Sequence, residues 1–142
     1  METGVLNINR DIRAACETGL RQQYPPPLGA LLADAVGFGP HGKLDPGKLR
    51  ASLDDEAAAI VAGIVANRAD APLMLMLRNQ VIGHAILHDR DGVIRWTTEA
   101  MNRCQRVGGV WTDTRGQWQW ILDNADRYIL HVRQLKLFLN QL

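Results

Sequence analysis

Cysteine is scarce in this chain: Cys16 and Cys104 are the only two in 142 residues. Two thiols with no Cys-x-x-Cys pair make no disulfide framework, and they fit a reducing compartment. Long apolar runs are missing as well. Nothing approaches the roughly 20 consecutive apolar residues that span a bilayer. The opening METGVLNINRD lacks the basic-then-apolar order of a secretion signal. These features predict a cytoplasmic chain that enters no membrane, although a leaderless export route would leave the same sequence. An excess of one charge is absent too. Sixteen Lys and Arg stand against fifteen Asp and Glu, a formal net charge of +1, which argues against a strongly basic nucleic-acid binder.

Catalytic signatures are equally thin. There is no Gly-x-Ser-x-Gly, no His-Glu-x-x-His and no Walker loop. The segment GFGPHGK at residues 37–43 spells G-x-G-x-x-G. A dinucleotide loop, however, follows a strand and opens a helix. Here a helical pattern precedes the segment and a proline lies within it, so it reads as a plain loop.

What remains is an ordinary globular composition, 46% hydrophobic and 22% charged, enough for a single domain over residues 1–142. Ile8, Ile12, Cys16 and Leu20 form one apolar stripe and predict a helix over residues 9–23, ended by Pro25-Pro26-Pro27. A short helix follows at about 28–36, with Gly37 as its stop. Asp45-Pro46 is an N-cap followed by proline at the first helical position, and it starts a helical region reaching about Asn67. Ser52 and Asp55 offer a second start within it. Leu49, Leu53, Ile60 and Ile64 give the apolar face, while alanines at 57–59, 62 and 66 keep the helix slim enough for a close neighbour.

After Pro72 the period reads as strand. Residues 73–78 and 81–88 form a predicted strand pair around Asn79-Gln80, and 93–97 a third strand. Residues 99–106 give a short helix, and 108–112 and 117–121 two more strands. DRDGVIRW and DTRGQWQW repeat an Asp-x-x-Gly before alternating apolar positions, the signal of a bulged hairpin turn. A long closing helix covers about 124–141, with Ile121, Ala125, Tyr128, Val132, Leu135, Leu139 and Leu142 in one stripe. The expected class is thus α+β: helices over 1–67, then a five-stranded antiparallel sheet and its covering helix over 72–142. This order of elements resembles layouts of secretion chaperones and of profilin-like or roadblock-like modules, in layout alone.

Three functional readings follow. The first is a protein-binding module, such as an adaptor, chaperone, inhibitor or immunity-type protein. Leu130 and Leu137 carry it, because they project opposite the core stripe of the closing helix and need cover from the N-terminal helices, another protein or a second copy. The second is a papain-like cysteine hydrolase or transferase. There Cys16 is the nucleophile and His84 its base, oriented by Thr98 or an aspartate. Cys16 lies mid-helix on an apolar stripe, which suits a core thiol better than a reactive one. The third is a nucleic-acid-associated regulator that stacks bases on Trp111, Trp118 and Trp120 near Arg103 and Arg106. No cofactor is called for. A shared metal at His84 and His88 fails on distance, since four residues of strand separate their Cα atoms by roughly 13 Å.

Overall fold

The computed structural model describes residues 14–24, 27–36, 38, 45–107 and 114–139. Among them the chain forms seven helices and no strand. They are α1 (14–23), α2 (Leu28–Val36), α3 (Pro46–Val65), α4 (Ala71–Ile86), α5 (Arg90–Val107), α6 (Arg115–Asp123) and α7 (Ala125–Leu139). The expected α+β class and its antiparallel sheet are therefore overturned. Residues 73–78 and 81–88 belong to α4 and its closing turn, 93–97 to α5, and 117–121 to α6. The segments 108–112 and 37–43, Phe38 apart, lie outside the described residues.

The misreading of α4 has a physical cause. Its sequence, APLMLMLRNQVIGHAI, buries Leu73, Met74, Leu77 and every residue from Gln80 to Ile86. A helix buried on nearly all sides has no amphipathic stripe, and periodicity cannot separate it from buried strands. The decisive signal is its start. Asp70 accepts a hydrogen bond from the Leu73 amide at 3.0 Å, and Pro72 lies in the first turn. This is the same device as Asp45-Pro46, where Asp45 accepts from the Gly47 and Lys48 amides at 3.0 and 3.2 Å. From there α3 runs unbroken to Val65, with no restart at Ser52.

In α5 the aspartate of DRDG also caps a helix rather than turning a hairpin. Asp89 accepts from the Gly92 amide at 3.0 Å. Short polar side chains satisfy exposed amides in both settings, so the letters alone do not choose between them. Buried positions of α5 include Val93, Trp96, Thr97, Ala100, Met101, Arg103 and Cys104, spaced as one helical face. The echo DTRGQWQW opens α6 differently: Thr114 stands in the N-cap position without a side-chain cap hydrogen bond, and Asp113 lies outside the described residues.

α4 packs against α3, α5 and α7, while α2 packs on α7 and α5 on α6. One cluster of buried side chains joins α2 to α7, including Leu32, Ile60, Leu77, Val93, Trp118 and Val132. Close approaches are bought with glycine. A Cβ on Gly83 would lie 2.7 Å from the Leu53 side chain, and one on Gly29 would lie 2.7 Å from the Leu20 carbonyl of α1. No helix among the described residues is long and apolar enough to cross a membrane.

The two corners flanking α4 are closed in the same manner. Asn67, after α3, and His88, after α4, sit in the left-handed region at φ 58° and 57°. The amide of Arg68 bonds the Gly63 carbonyl at 2.9 Å and that of Asn67 bonds Ile64 at 2.9 Å. Asp89 bonds His84 at 2.8 Å and His88 bonds Ala85 at 3.1 Å. Both are Schellman closures, in which reversed hydrogen bonds satisfy the last carbonyls of a helix.

Candidate functional site

His84 stands at the second corner, 9% exposed on the last turns of α4. Its Nδ1 lies 3.0 Å from Asp89 Oδ2, and its Nε2 lies 3.2 Å from Gln80 Oε1. Gln80 Nε2 in turn donates to the Leu53 carbonyl at 2.7 Å. That bond fixes the amide orientation, because a flipped Gln80 would set two acceptors against each other. Gln80 Oε1 therefore accepts from His84 Nε2, and Asp89 Oδ2 lies within hydrogen-bonding distance of Nδ1 on the other side of the ring. A line of hydrogen bonds runs from α3 through α4 to the first turn of α5. Gly92 permits it, since a Cβ there would lie 2.4 Å from His84 Nδ1. The Gly92 amide chiefly, with His84 second, holds the Asp89 carboxyl below its usual range, against an opposing contribution from burial.

The aspartate beside His84 is Asp89, while Thr98 bonds the Ile94 carbonyl at 2.7 Å. No hydrogen bond joins His84 to Cys16. The thiol is half-buried on α1, and burial, with Glu17 in addition, pushes its pKa up. That is the reverse of what an attacking thiolate needs. Cys104 is buried beside the Thr114 hydroxyl at 3.7 Å and is likewise pushed up by burial. Among the described residues no group of three or more His, Cys, Asp or Glu side chains is arranged to hold a metal ion.

The expected stacking surface is also not assembled from the described residues. Trp118 is buried, and its Nε1 donates to Thr114 Oγ1 at 3.0 Å. Trp120 is half-buried against the core. Arg103 is buried too, with Nη1 donating to Asn67 Oδ1 at 3.2 Å and Nη2 to the Arg68 carbonyl, where it clamps the end of α3. Trp111 lies outside the described residues.

Leu130 and Leu137 fall on the outer side of α7, 55% and 63% exposed. The inner side of the same helix buries Tyr128, Ile129, Val132 and Leu135. Among the described residues the other helices thus lie on one side of α7. Arg127, Arg133 and Gln134 are exposed around the two leucines. Arg133 also donates to the Ile86 carbonyl at 2.9 Å, which anchors α7 to the end of α4.

Asp34 and Arg78 went unnoticed in the sequence. With Phe38, Leu75, Asn79 and Ile82 they line an open cleft of about 200 Å³. Arg78 approaches Asp34 at 3.8 Å and Gln117 at 3.4 Å. Burial raises the Asp34 pKa despite Arg78 and Arg21. Burial likewise pushes the Tyr128 phenol far up. No periodicity or spacing marks such a pair, because its members come from helices far apart in sequence. No family model, curated protein or solved structure matches the chain.

Proposed function

We propose that the chain is a protein-binding module whose docking face is the outer side of α7. The observation that carries this reading is the pair Leu130 and Leu137, each more than half exposed on a helix whose opposite face is core. Seven residues of helix set the two about 10 Å apart along one side, a spacing that suits two anchors for one partner. Exposed Arg127 and Arg133 give the patch a polar rim, as recognition surfaces have.

A photo-crosslinking residue at position 130 tests the reading in extract of the source cells. Each captured protein is then purified and titrated against the wild-type chain and Leu130→Glu/Leu137→Glu. A partner whose affinity falls at least about tenfold, with helicity unchanged, supports the proposal. Affinities unaffected by the double substitution for every captured protein would overturn it.

A further inference from the structure

Both ends of the side-chain line through the second corner are acceptors. It runs from the Leu53 carbonyl through the Gln80 amide and the His84 ring to Asp89 Oδ2, over contacts of 2.7, 3.2 and 3.0 Å. Gln80 donates at one end of its amide and accepts at the other, so it passes the direction of the line on unchanged. A neutral imidazole does the same, with one N–H and one bare nitrogen. Two acceptor ends then force two acceptors together somewhere along the line, unless one member donates on both sides. Imidazolium does that. A protonated Asp89 would also complete the line, but its Oδ1 accepts from the Gly92 amide at 3.0 Å, which favours the ionised carboxylate. The Gly92 amide chiefly, and to a smaller degree His84 and Arg50 of α3, hold that carboxyl below its usual range against the effect of burial.

We infer that His84 and Asp89 share one proton, carried on the ring, and that this proton makes the corner between α4 and α5 a pH-sensitive switch. With the proton in place the line is complete from α3 to α5. When pH rises and the proton passes to water, the bare Nδ1 faces an ionised carboxylate at 3.0 Å, or the mismatch moves to Gln80 Oε1 at 3.2 Å. A buried contact between two acceptors is unfavourable. Asp89 is the member that can leave, since its side chain is 31% exposed against 11% for His84. Its departure also releases the Gly92 amide, so the first turn of α5 loses its cap. The charged groups on the surrounding elements are engaged elsewhere or exposed. Glu56 of α3 accepts from Asn79 at 3.4 Å, Arg133 of α7 donates to the Ile86 carbonyl at 2.9 Å, and Arg90 of α5 pairs with Asp126 at 3.0 Å. Arg50, His88 and Asp91 are exposed. The switch lies at the end of α4 and is independent of the α7 face.

Nitrogen NMR of the full chain, labelled at histidine, follows the ring through a pH titration. The expected result is that both nitrogens of His84 are protonated at the acid end and that Nδ1, not Nε2, gives up its proton. Hydrogen exchange at the Gly92 and Val93 amides, corrected for the intrinsic effect of pH, reads the corner. From about pH 5.5 to 8.5 local opening should rise at least about fivefold, with the same midpoint as the ring. In Asp89→Asn the amide gives Nδ1 a donor and the Gly92 amide an acceptor, so a neutral ring completes the line. Opening there should change less than about twofold over the same range. Loss of the proton from Nε2 would overturn the inference. So would wild-type opening that does not follow the ring, or opening that rises equally in Asp89→Asn. The ring titration and the wild-type exchange need no variant, so they decide the matter even where Asp89→Asn does not fold.

Discussion

The corner between α3 and α4 and the corner between α4 and α5 share a backbone plan and differ in wiring. Each has a left-handed non-glycine residue and a Schellman closure, followed by an aspartate cap on the next helix. At the first corner one polar contact lies at the surface and the other comes from the buried Arg103 side chain. Asp70 pairs with Arg68 at the surface, and Arg103 reaches in from α5 to the chain end of α3. At the second corner they pass through the core by way of His84 and Gln80. One turn geometry thus takes either a single side chain reaching in from α5 or a line of side chains running through three helices. What decides is the residue four positions before the turn: His84 lies four before His88, and Gly63 four before Asn67.

The largest predicted difference lies in the glycines. Gly92→Ala drives a Cβ into the His84 ring and should cost about 2–3 kcal/mol. Gly63→Ala meets a Leu73 methyl at 3.2 Å and the Arg68 side chain at ordinary contact distance, and should cost about 1 kcal/mol or less. Urea unfolding of both variants measures this, and equal losses would abolish the distinction between the corners. Next comes the left-handed pair. His88 is exposed, so His88→Gly removes backbone strain and should stabilise by about 1 kcal/mol. Asn67→Gly should be close to neutral, because asparagine tolerates the conformation and its side chain also holds Arg103. Thermal unfolding of the two variants ranks them, and a larger gain at Asn67 would contradict the account.

The smallest effect is in acid. Both caps have carboxyl pKa values lowered in the fold, Asp70 first by the Arg68 hydrogen bond and Asp89 first by the Gly92 amide. A lowered carboxyl pKa contributes stability that is complete above the unfolded value of about 4 and is lost as pH falls through the folded value. Asp70→Asn and Asp89→Asn should therefore each flatten the loss of stability below about pH 4. The surface ion pair is screened by salt and the amide bond much less so. At high salt the Asp70→Asn difference should shrink while the Asp89→Asn difference persists. Acid titrations at low and high salt that respond alike at both sites would show the two caps to be equivalent.

The legible parts of the molecule were those with asymmetric surroundings. α3 announced itself through Asp45-Pro46 and a one-sided stripe, and α7 through a stripe with Leu130 and Leu137 opposite. α4 was illegible because its neighbours lie on several sides and erase the helical period. Its only clear mark was Asp70-Ala-Pro72, which also reads as a linker. At residues 89–92 the aspartate and glycine of a hairpin proved to be a cap and a packing glycine, since the same two residue types suit both. The exposed alanines of α3 were visible from the start as a slim helix. Which side they faced depended on the position of α4.

The two ends of the hydrogen-bonded line through His84 are main-chain groups, the Leu53 carbonyl and the Gly92 amide. Any residue at position 53 supplies the same acceptor, and any residue but proline at 92 supplies the donor. Only three codons, those for Gln80, His84 and Asp89, spell the polar part of the tie, and a fourth must keep position 92 small. A long, buried connection among three helices is thus written in very few letters, with the rest of its chemistry supplied by the peptide backbone itself.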